Sequence, residues 1–169
     1  MADCVSALKR WTGKASVMIL FDSIVDEFTD QGLFNKVQGK ANIAIVAFTT
    51  DGDVFGGFYS VAATRQEHFF YDPNIFIFSF ESHGRCMTPQ WFPVKKEKKR
   101  YKFVHFFKDY SDGWFVDFGT NGFNLGNEKS STFCDCISSG HEGIGNTTLT
   151  GNTHPARFIC TRIVAIHLE

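Results

Sequence analysis

The stretch FTTDGDVFGGFYS, residues 48–60, places an Asp-Gly pair between two runs of apolar residues. Such a pair is a strong signal for a β-hairpin, because the positive backbone angles of a type I′ turn are tolerated by Asp and adopted freely by Gly. The stretch therefore predicts a hairpin whose turn contains Asp51 and Gly52. We expect this stretch to identify the fold and not an activity.

The second arm of this hairpin, Val54 to Tyr59, is predicted to be an inner strand. Its glycine pair, Gly56 and Gly57, marks either a bulge or a place where another backbone or a bulky ring packs closely. With Phe55, these glycines are interpreted as structural markers of the hairpin.

A ligand-binding role for the same stretch fails on residue types. Counted from Asp51, a calcium-binding EF-hand loop needs an oxygen ligand at its fifth position and a Glu at its twelfth, where this chain has Phe55 and Ala62. A phosphate-binding loop needs a Lys after its second glycine, where this chain has Phe58.

Length and composition predict one globular, strand-rich domain. The chain has 169 residues, of which 43% are hydrophobic and 20 are Phe, and aromatic side chains favour strands. Its formal net charge of -1 provides no overall field that would attract nucleic acid or an anionic membrane. We expect residues 1–15 to form an N-terminal arm and residues 16–169 to form the domain.

Short apolar runs at hairpin spacing predict seven or eight strands and one helix near the start. The predicted strands are 16–21, 41–48, 54–60, 74–81, 101–107, 114–119, a short one within 119–126, and 158–169. Loops are predicted around Pro89 and Pro93 and over 127–157. The fold class is α+β and mostly β: a two-sheet antiparallel β-sandwich with a few short flanking helices.

The predicted helix begins after the first strand, with Asp22 or Ser23 as its cap, and ends at Gly32. Its apolar face would contain Phe21, Ile24, Val25 and Phe28. In the closing strand, alternation predicts Cys160 on the same side as Arg162 and Val164.

The five cysteines, Cys4, Cys86, Cys134, Cys136 and Cys160, form an odd set without the spacing of a disulfide framework. They indicate free thiols in a reducing compartment. No apolar run reaches the roughly 18 residues that a membrane span needs, and the first residues do not resemble a secretory signal. We therefore expect a cytoplasmic protein without membrane insertion.

Two thiol chemistries are open alternatives to a chain without catalytic residues. Cys86 lies close to His83 and Arg85, which could favour a thiolate, and the pair Cys134 and Cys136 could react with peroxide. The same pair with His141, His154 and Cys160 offers zinc-ligand atom types, but the spacing matches no zinc motif, so we expect neither a metal nor another cofactor.

The run KKEKKR offers a further alternative, nucleic-acid binding through a basic patch flanked by aromatic residues. The simpler interpretation is a solvated loop that protects an edge strand. The basic residues are Lys95, Lys96, Lys98, Lys99 and Arg100.

The ordered segments resemble the TLDc domain family over about residues 16–169. These segments are FDSIVDEFTDQGLF, NIAIVAFTTDGDVFGGFYS, FYDPNIFIFSFE, NLGNE and FICTRIVAIHLE. The most specific part is DGDVFGGF, residues 51–58, and the Phe-rich strand from Phe76 to Phe80 supports it.

This resemblance implies a two-sheet β-sandwich with short helices and no established reaction. It also implies links to oxidative-stress protection and to regulation of the vacuolar-type proton ATPase. We therefore expect a non-catalytic interaction module whose partner is a protein, such as a subunit of that ATPase.

Overall fold

The computed structural model of the chain describes residues 2–119, 122–134 and 137–169. It confirms a mostly β fold of two antiparallel sheets with short helices. The strands are β1 (Val17–Asp22), β2 (Ile43–Thr49), β3 (Val54–Tyr59), β4 (Phe69–Tyr71), β5 (Phe76–Glu81), β6 (Gln90–Pro93), β7 (Phe103–Phe106), β8 (Trp114–Phe118), β9 (Phe123–Gly126) and β10 (Cys160–Leu168). The helices are α1 (Ala2–Thr12), α2 (Asp30–Val37), α3 (Ile137–Gly140) and a short 3-10 helix (Lys99–Tyr101).

The larger sheet has the strand order β1-β10-β2-β3-β5-β6 and the smaller sheet has the order β4-β7-β8-β9. The main core lies between them and is rich in aromatic rings, as the composition predicted. The central strand β2 is buried on both faces, since Ile43, Ile45 and Ala47 join the main core while Ala44 and Val46 belong to a second core on the outer face. Strand β2 is therefore an inner strand covered on two sides, as expected for a run that is apolar at every residue from 43 to 48.

The predicted hairpin is present, but its turn is not of type I′. Thr49 and Asp53 face each other, with the Thr49 amide donating to the Asp53 carbonyl at 3.1 Å, and the Gly52 amide donates to the Thr49 carbonyl at 3.0 Å. A type I′ turn needs a positive φ at both of its central residues. Gly52 has φ 85°, but the φ of Asp51 is not positive. A three-residue loop that ends in a left-handed glycine fits these contacts. The side chain of Thr49 also accepts from the Asp53 amide at 3.1 Å, which holds Asp53 in this register.

The glycine pair lies where other groups pack closely, as predicted. A Cβ atom at Gly56 would collide with the carbonyl oxygen of Ile45 and would lie 2.8 Å from the ring tip of Phe78. A Cβ atom at Gly57 would overlap the ring of Phe118 in the opposite sheet. The pairing of β3 with β2 is continuous through both glycines, so the cause is close packing rather than a bulge at these residues.

The helix predicted from Phe21 to Gly32 is wrong. Phe21 remains in β1, and Ile24 and Val25 are 68% and 80% exposed in the turn that follows. Helix α2 begins later, where the side chain of Thr29 caps it by accepting a hydrogen bond from the Gly32 amide at 3.0 Å. The extended conformation up to residue 22 depends on pairing with β10, a contact that the local sequence pattern does not contain.

Two strands were missed, β4 and β6. Strand β4 has only three residues and lies at an edge of the smaller sheet. Strand β6 ends at Pro93, in a segment that the prolines predicted to be a loop. It is an edge strand of the larger sheet, where a proline without an amide hydrogen is tolerated.

The residues predicted to be an N-terminal arm include helix α1, which packs on the outer face of the larger sheet. Trp11 contacts the rings of Phe76, Phe78 and Phe80 at centroid distances of 6.3, 6.0 and 5.9 Å, and Leu8 is fully buried. Among the described residues, no helix has both the length and the apolar character required to cross a bilayer.

The alternation predicted for the closing strand is also wrong at its start. The pairing of β10 with β2 shifts between Cys160 and Arg162. This bulge places Cys160 in the main core together with Ile163 and Ala165, instead of on the side of Arg162.

Candidate functional site

The outer face of the smaller sheet carries a connected set of aromatic rings, some of them exposed and others buried or half-buried. In β7, Val104 and Phe106 point into the main core, so the alternation of the strand directs Phe103 and His105 outward. Phe69 pairs with His105 in the sheet and lies on the same face. We call this surface the aromatic band; its residues are Phe69, Tyr71, Phe103, His105, Phe107, Tyr110, Trp114, Phe133 and His154.

Ring contacts connect the first part of the aromatic band across two strands. Tyr71 contacts Phe103 at a centroid distance of 5.4 Å, and Phe103 contacts Phe69 at 6.3 Å. Phe69 stacks on the imidazole of His105 at 4.3 Å, and His105 meets Phe107 edge to face at 4.4 Å. These rings form one continuous apolar surface.

The second part of the aromatic band extends over the β7–β8 turn and the following connection. Tyr110 stacks on Trp114 at 4.9 Å, and both rings contact Phe107. Trp114 contacts Phe133 at 5.7 Å, and Phe133 contacts the imidazole of His154 at 4.7 Å. The Trp114 indole also donates to the Ser131 carbonyl at 2.7 Å, which fixes the orientation of its ring.

The aromatic band is accessible to a partner at Phe69, Tyr71, Tyr110 and His154, which are exposed residues. Phe69 is 49% exposed, Tyr71 is 46% exposed and Tyr110 is 41% exposed. Scattered exposed apolar side chains are ordinary, but a contiguous set of them is typical of a surface that binds another molecule.

His105 keeps the centre of the aromatic band uncharged. It is buried beneath the ring of Phe69, and burial lowers the pKa of its imidazole, opposed in part by the carboxylate of Glu67. The imidazole is therefore neutral at pH 7, and the centre of the band behaves as an apolar surface.

A second group of polar residues connects the β2–β3 turn to two distant segments. The buried carboxylate oxygen Oδ1 of Asp53 accepts from Arg85 Nη2 at 2.5 Å and contacts His83 Nδ1 at 3.0 Å. Arg85 also donates to the carbonyls of Thr148 and Leu149 at 3.0 and 3.1 Å. We call these residues the Asp53 cluster. Its hydrogen bonds join three loops, so its evident role is to hold them together.

The structure places the thiol candidates in different environments. Cys134 is buried in the main core, where burial raises the pKa of its thiol to about 12, so it is protonated at pH 7. Cys86 is half-buried, and its amide donates to Ser82 Oγ at 2.6 Å. Cys136 lies outside the described residues.

The zinc-ligand atom types are not brought together in the described ranges. Over residues 2–119, 122–134 and 137–169, no three His, Cys, Asp or Glu side chains are arranged to hold a metal ion. His141 lies against the ring of Tyr101, His154 lies beside Phe133, and Cys160 is in the main core.

The basic run covers the connection that follows β6 and the first two residues of the 3-10 helix, Lys99 and Arg100. Lys96, Lys98 and Lys99 are exposed. The Lys95 ammonium donates to the Ser138 carbonyl at 2.8 Å, and the Arg100 guanidinium lies over the ring of Tyr101 and donates to its hydroxyl at 2.7 Å. At least these two cations therefore have internal partners.

Sequence reasoning missed the aromatic band, although one signal for it was present. In YKFVHFF, residues 103, 105 and 107 occur at the two-residue period of a strand face. The sequence did not show which face was outward, that residue 133 lies beside residue 114, or that residue 154 lies beside residue 133.

The comparison with protein-family models identifies the fold. The model of the TLDc domain matches residues 4–161, nearly the whole chain, and it includes the β2–β3 hairpin that carries the DGDVFGGF stretch. No curated protein gives a significant match to the chain. The family match shows that this chain belongs to the TLDc domain family.

Proposed function

We propose that this chain is a non-catalytic protein-binding module of the TLDc type, and that the aromatic band is its contact surface. The observation that carries this proposal is the continuous series of ring contacts from Tyr71 to His154, with Phe69, Tyr71 and Tyr110 each more than two-fifths exposed. Tyr and Trp side chains are enriched at the energetic centres of protein interfaces, because they bury a large area and lose few rotamers on binding.

We further propose that the partner is a subunit of the vacuolar-type proton ATPase, bound in the cytoplasm, and that the interaction contributes to protection against oxidative stress. This assignment rests on the resemblance of the chain to TLDc proteins. The neutral, aromatic character of the band fits a protein surface with an apolar centre, whereas an acidic or basic patch would fit a highly charged partner.

Direct binding to the purified water-soluble sector of the ATPase tests two claims: that the ATPase is the partner, and that the aromatic band is the contact surface. Tyr71→Ser and Tyr110→Ser should each weaken binding about tenfold, since each removes an aromatic contact while leaving the core intact. Met87→Ser is the matched control, because Met87 is 91% exposed and is not part of the band.

Three results would contradict the proposal. The wild-type chain could fail to bind the ATPase sector, or Met87→Ser could weaken binding as much as the tyrosine variants. A measurable turnover by the wild-type chain would argue against a non-catalytic module.

The link to oxidative stress is tested in cells. Cells that express Tyr110→Ser should survive peroxide less well than cells that express Met87→Ser at the same protein level.

A further inference from the structure

The outer face of the larger sheet contains an apolar groove beside α1, with a volume of about 500 Å³. The groove arises because one helix cannot cover the sheet. Six strands spaced about 4.8 Å apart span roughly 24 Å, whereas a helix with its side chains is about 10 Å wide. Helix α1 directs Trp11 onto β5, so the apolar surface of β1 and β10 is left beside it.

The lining of the groove is almost entirely hydrocarbon. Residues of α1, β1, β2, β3, β5 and β10 line it. Ten of the thirteen lining residues are apolar, among them Val5, Ile19, Val46, Phe48, Val164 and Ile166, and Cys4 lines it as well.

The groove has the size of a small-ligand site. Its volume of about 500 Å³ lies within the range of roughly 300–1,000 Å³ found for such sites, which are lined mainly by apolar side chains. Among its lining residues, Leu8 is 0% exposed, Val46 is 4% exposed and Val164 is 6% exposed, whereas Ile19 on β1 is 60% exposed.

The two charged residues that line the groove are already engaged. Arg162 forms a two-bond ion pair with Asp22, with Nε donating to Oδ1 at 2.9 Å, and its guanidinium lies 5.1 Å from the ring centre of Phe48. Glu81 Oε1 accepts from the amides of Ser82 and His83 at 2.9 and 2.8 Å. A ligand with many hydrogen-bonding groups would therefore find few partners here, while a saturated hydrocarbon needs none.

We propose that this groove binds the alkyl chain of a single-chain amphiphile, with its polar headgroup in solvent at the rim. The chemistry that the groove recognises is the hydrocarbon chain, which fatty acids, alkanols and lysophospholipids share. This site lies on the sheet opposite the aromatic band, so it is separate from the proposed protein-binding surface.

Chain length provides the first test. Binding of hexanoate, octanoate, decanoate and dodecanoate to the full chain is measured by calorimetry at concentrations at which these amphiphiles are monomeric. Each added methylene that enters the groove should lower Kd about threefold to fourfold, until the groove is filled. A Kd that does not change with chain length, or no detectable binding, would overturn the proposal.

The headgroup arm of the experiment compares dodecanoate, dodecanol and a lysophospholipid with a twelve-carbon chain. A similar Kd for all three would support recognition of the chain alone. Tight binding of dodecanoate with no binding of dodecanol would show that the carboxylate is the recognised group, and would overturn the assignment.

Two neighbouring residues on β1 provide a matched pair of variants. Ile19 lines the groove and is 60% exposed, while Met18 is 52% exposed and does not line it. Ile19→Asp should weaken dodecanoate binding at least tenfold, whereas Met18→Asp should change it less than twofold. Because both side chains are exposed, both variants should fold, which the melting temperature without ligand checks. Equal weakening by the two variants would show that the chain binds elsewhere.

Discussion

The guanidinium of Arg85 donates a hydrogen bond to the buried carboxylate of Asp53, and this contact joins two turns that are 32 residues apart in the sequence. Asp53 is 1% exposed, so its charge has little access to water. The same guanidinium binds the carbonyls of two residues in the connection before β10. One side chain thus holds together three loops at one end of the sandwich.

We expect Arg85→Leu to lower the free energy of unfolding by about 2 kcal/mol, since it removes the guanidinium that pairs with the buried carboxylate of Asp53. Chemical denaturation measures the change. Arg10→Leu is the control, because Arg10 is an exposed residue of α1. In a double-mutant cycle with Asp53→Asn, the two losses should not add. Additive losses would show that the two residues do not interact.

Gly57→Ala should lower the free energy of unfolding by about 2 to 3 kcal/mol, because the new methyl group would overlap the ring of Phe118 and force the two sheets apart. Gly145→Ala is the control, since a Cβ atom there meets its nearest neighbour, Thr148 Oγ1, at an ordinary 3.5 Å. Thermal melts of both variants measure the difference. Equal stability of the two variants would mean that the sheets can separate at Gly57 without cost.

The stability of the fold should decrease below about pH 6.5, in part because of His141. Burial lowers the pKa of this imidazole from 6.5 to about 4. Between these values the unfolded chain binds a proton that the folded chain does not bind. The free energy of unfolding therefore falls as the pH falls, by about 3 kcal/mol between pH 6.5 and 4. Well above pH 6.5 the imidazole is neutral in both states and contributes no pH dependence.

Urea denaturation at several pH values checks this expectation. His141→Gln should flatten the dependence between pH 6.5 and 4. An unchanged pH dependence in His141→Gln would show that other groups cause the loss of stability.

The cysteines should react with a thiol reagent in an order set by burial. Cys134 and Cys160 are buried and have thiol pKa values raised to about 12, so both should remain unlabelled by N-ethylmaleimide in the folded protein. Cys86, which is half-buried, should react sooner. Mass spectrometry of digests measures the labelling, and denatured protein provides the fully labelled control.

A peroxide-reactive function is tested separately, by measuring peroxide consumption. If Cys86→Ser abolished peroxide consumption by the chain, thiol chemistry would replace the non-catalytic interpretation. Equal oxidation rates in wild type and Cys86→Ser would exclude Cys86 as the reactive group.

The basic run should behave as a solvated turn. We expect fluorescence anisotropy with labelled single-stranded DNA to give the same weak affinity for wild type and for the variant in which Lys96, Lys98 and Lys99 are changed to Ala. A nucleic-acid site would instead lose affinity in the variant. The slope of log K against log salt concentration would also become shallower by about 0.7 for each phosphate contact removed.

Much of the fold could be predicted from the sequence because the signals for its hairpins are local. Asp51 and Gly52 lie next to each other between two apolar runs, so the turn and both of its strands were evident. The candidate site could be predicted only in part. The alternation of Phe103, His105 and Phe107 was visible, but the rings that complete the band come from separate segments.

The sequence by itself determined the mostly β sandwich, the central hairpin and the need for glycine at residues 56 and 57, since periodicity and turn chemistry depend on neighbouring residues. Only the tertiary structure decided where β1 ends, because Asp22 is held extended by Arg162, 140 residues away. It also decided that α1 covers part of one sheet and leaves a groove. Both features depend on which faces of the strands and of α1 pack together, and this packing joins residues that are distant in the chain.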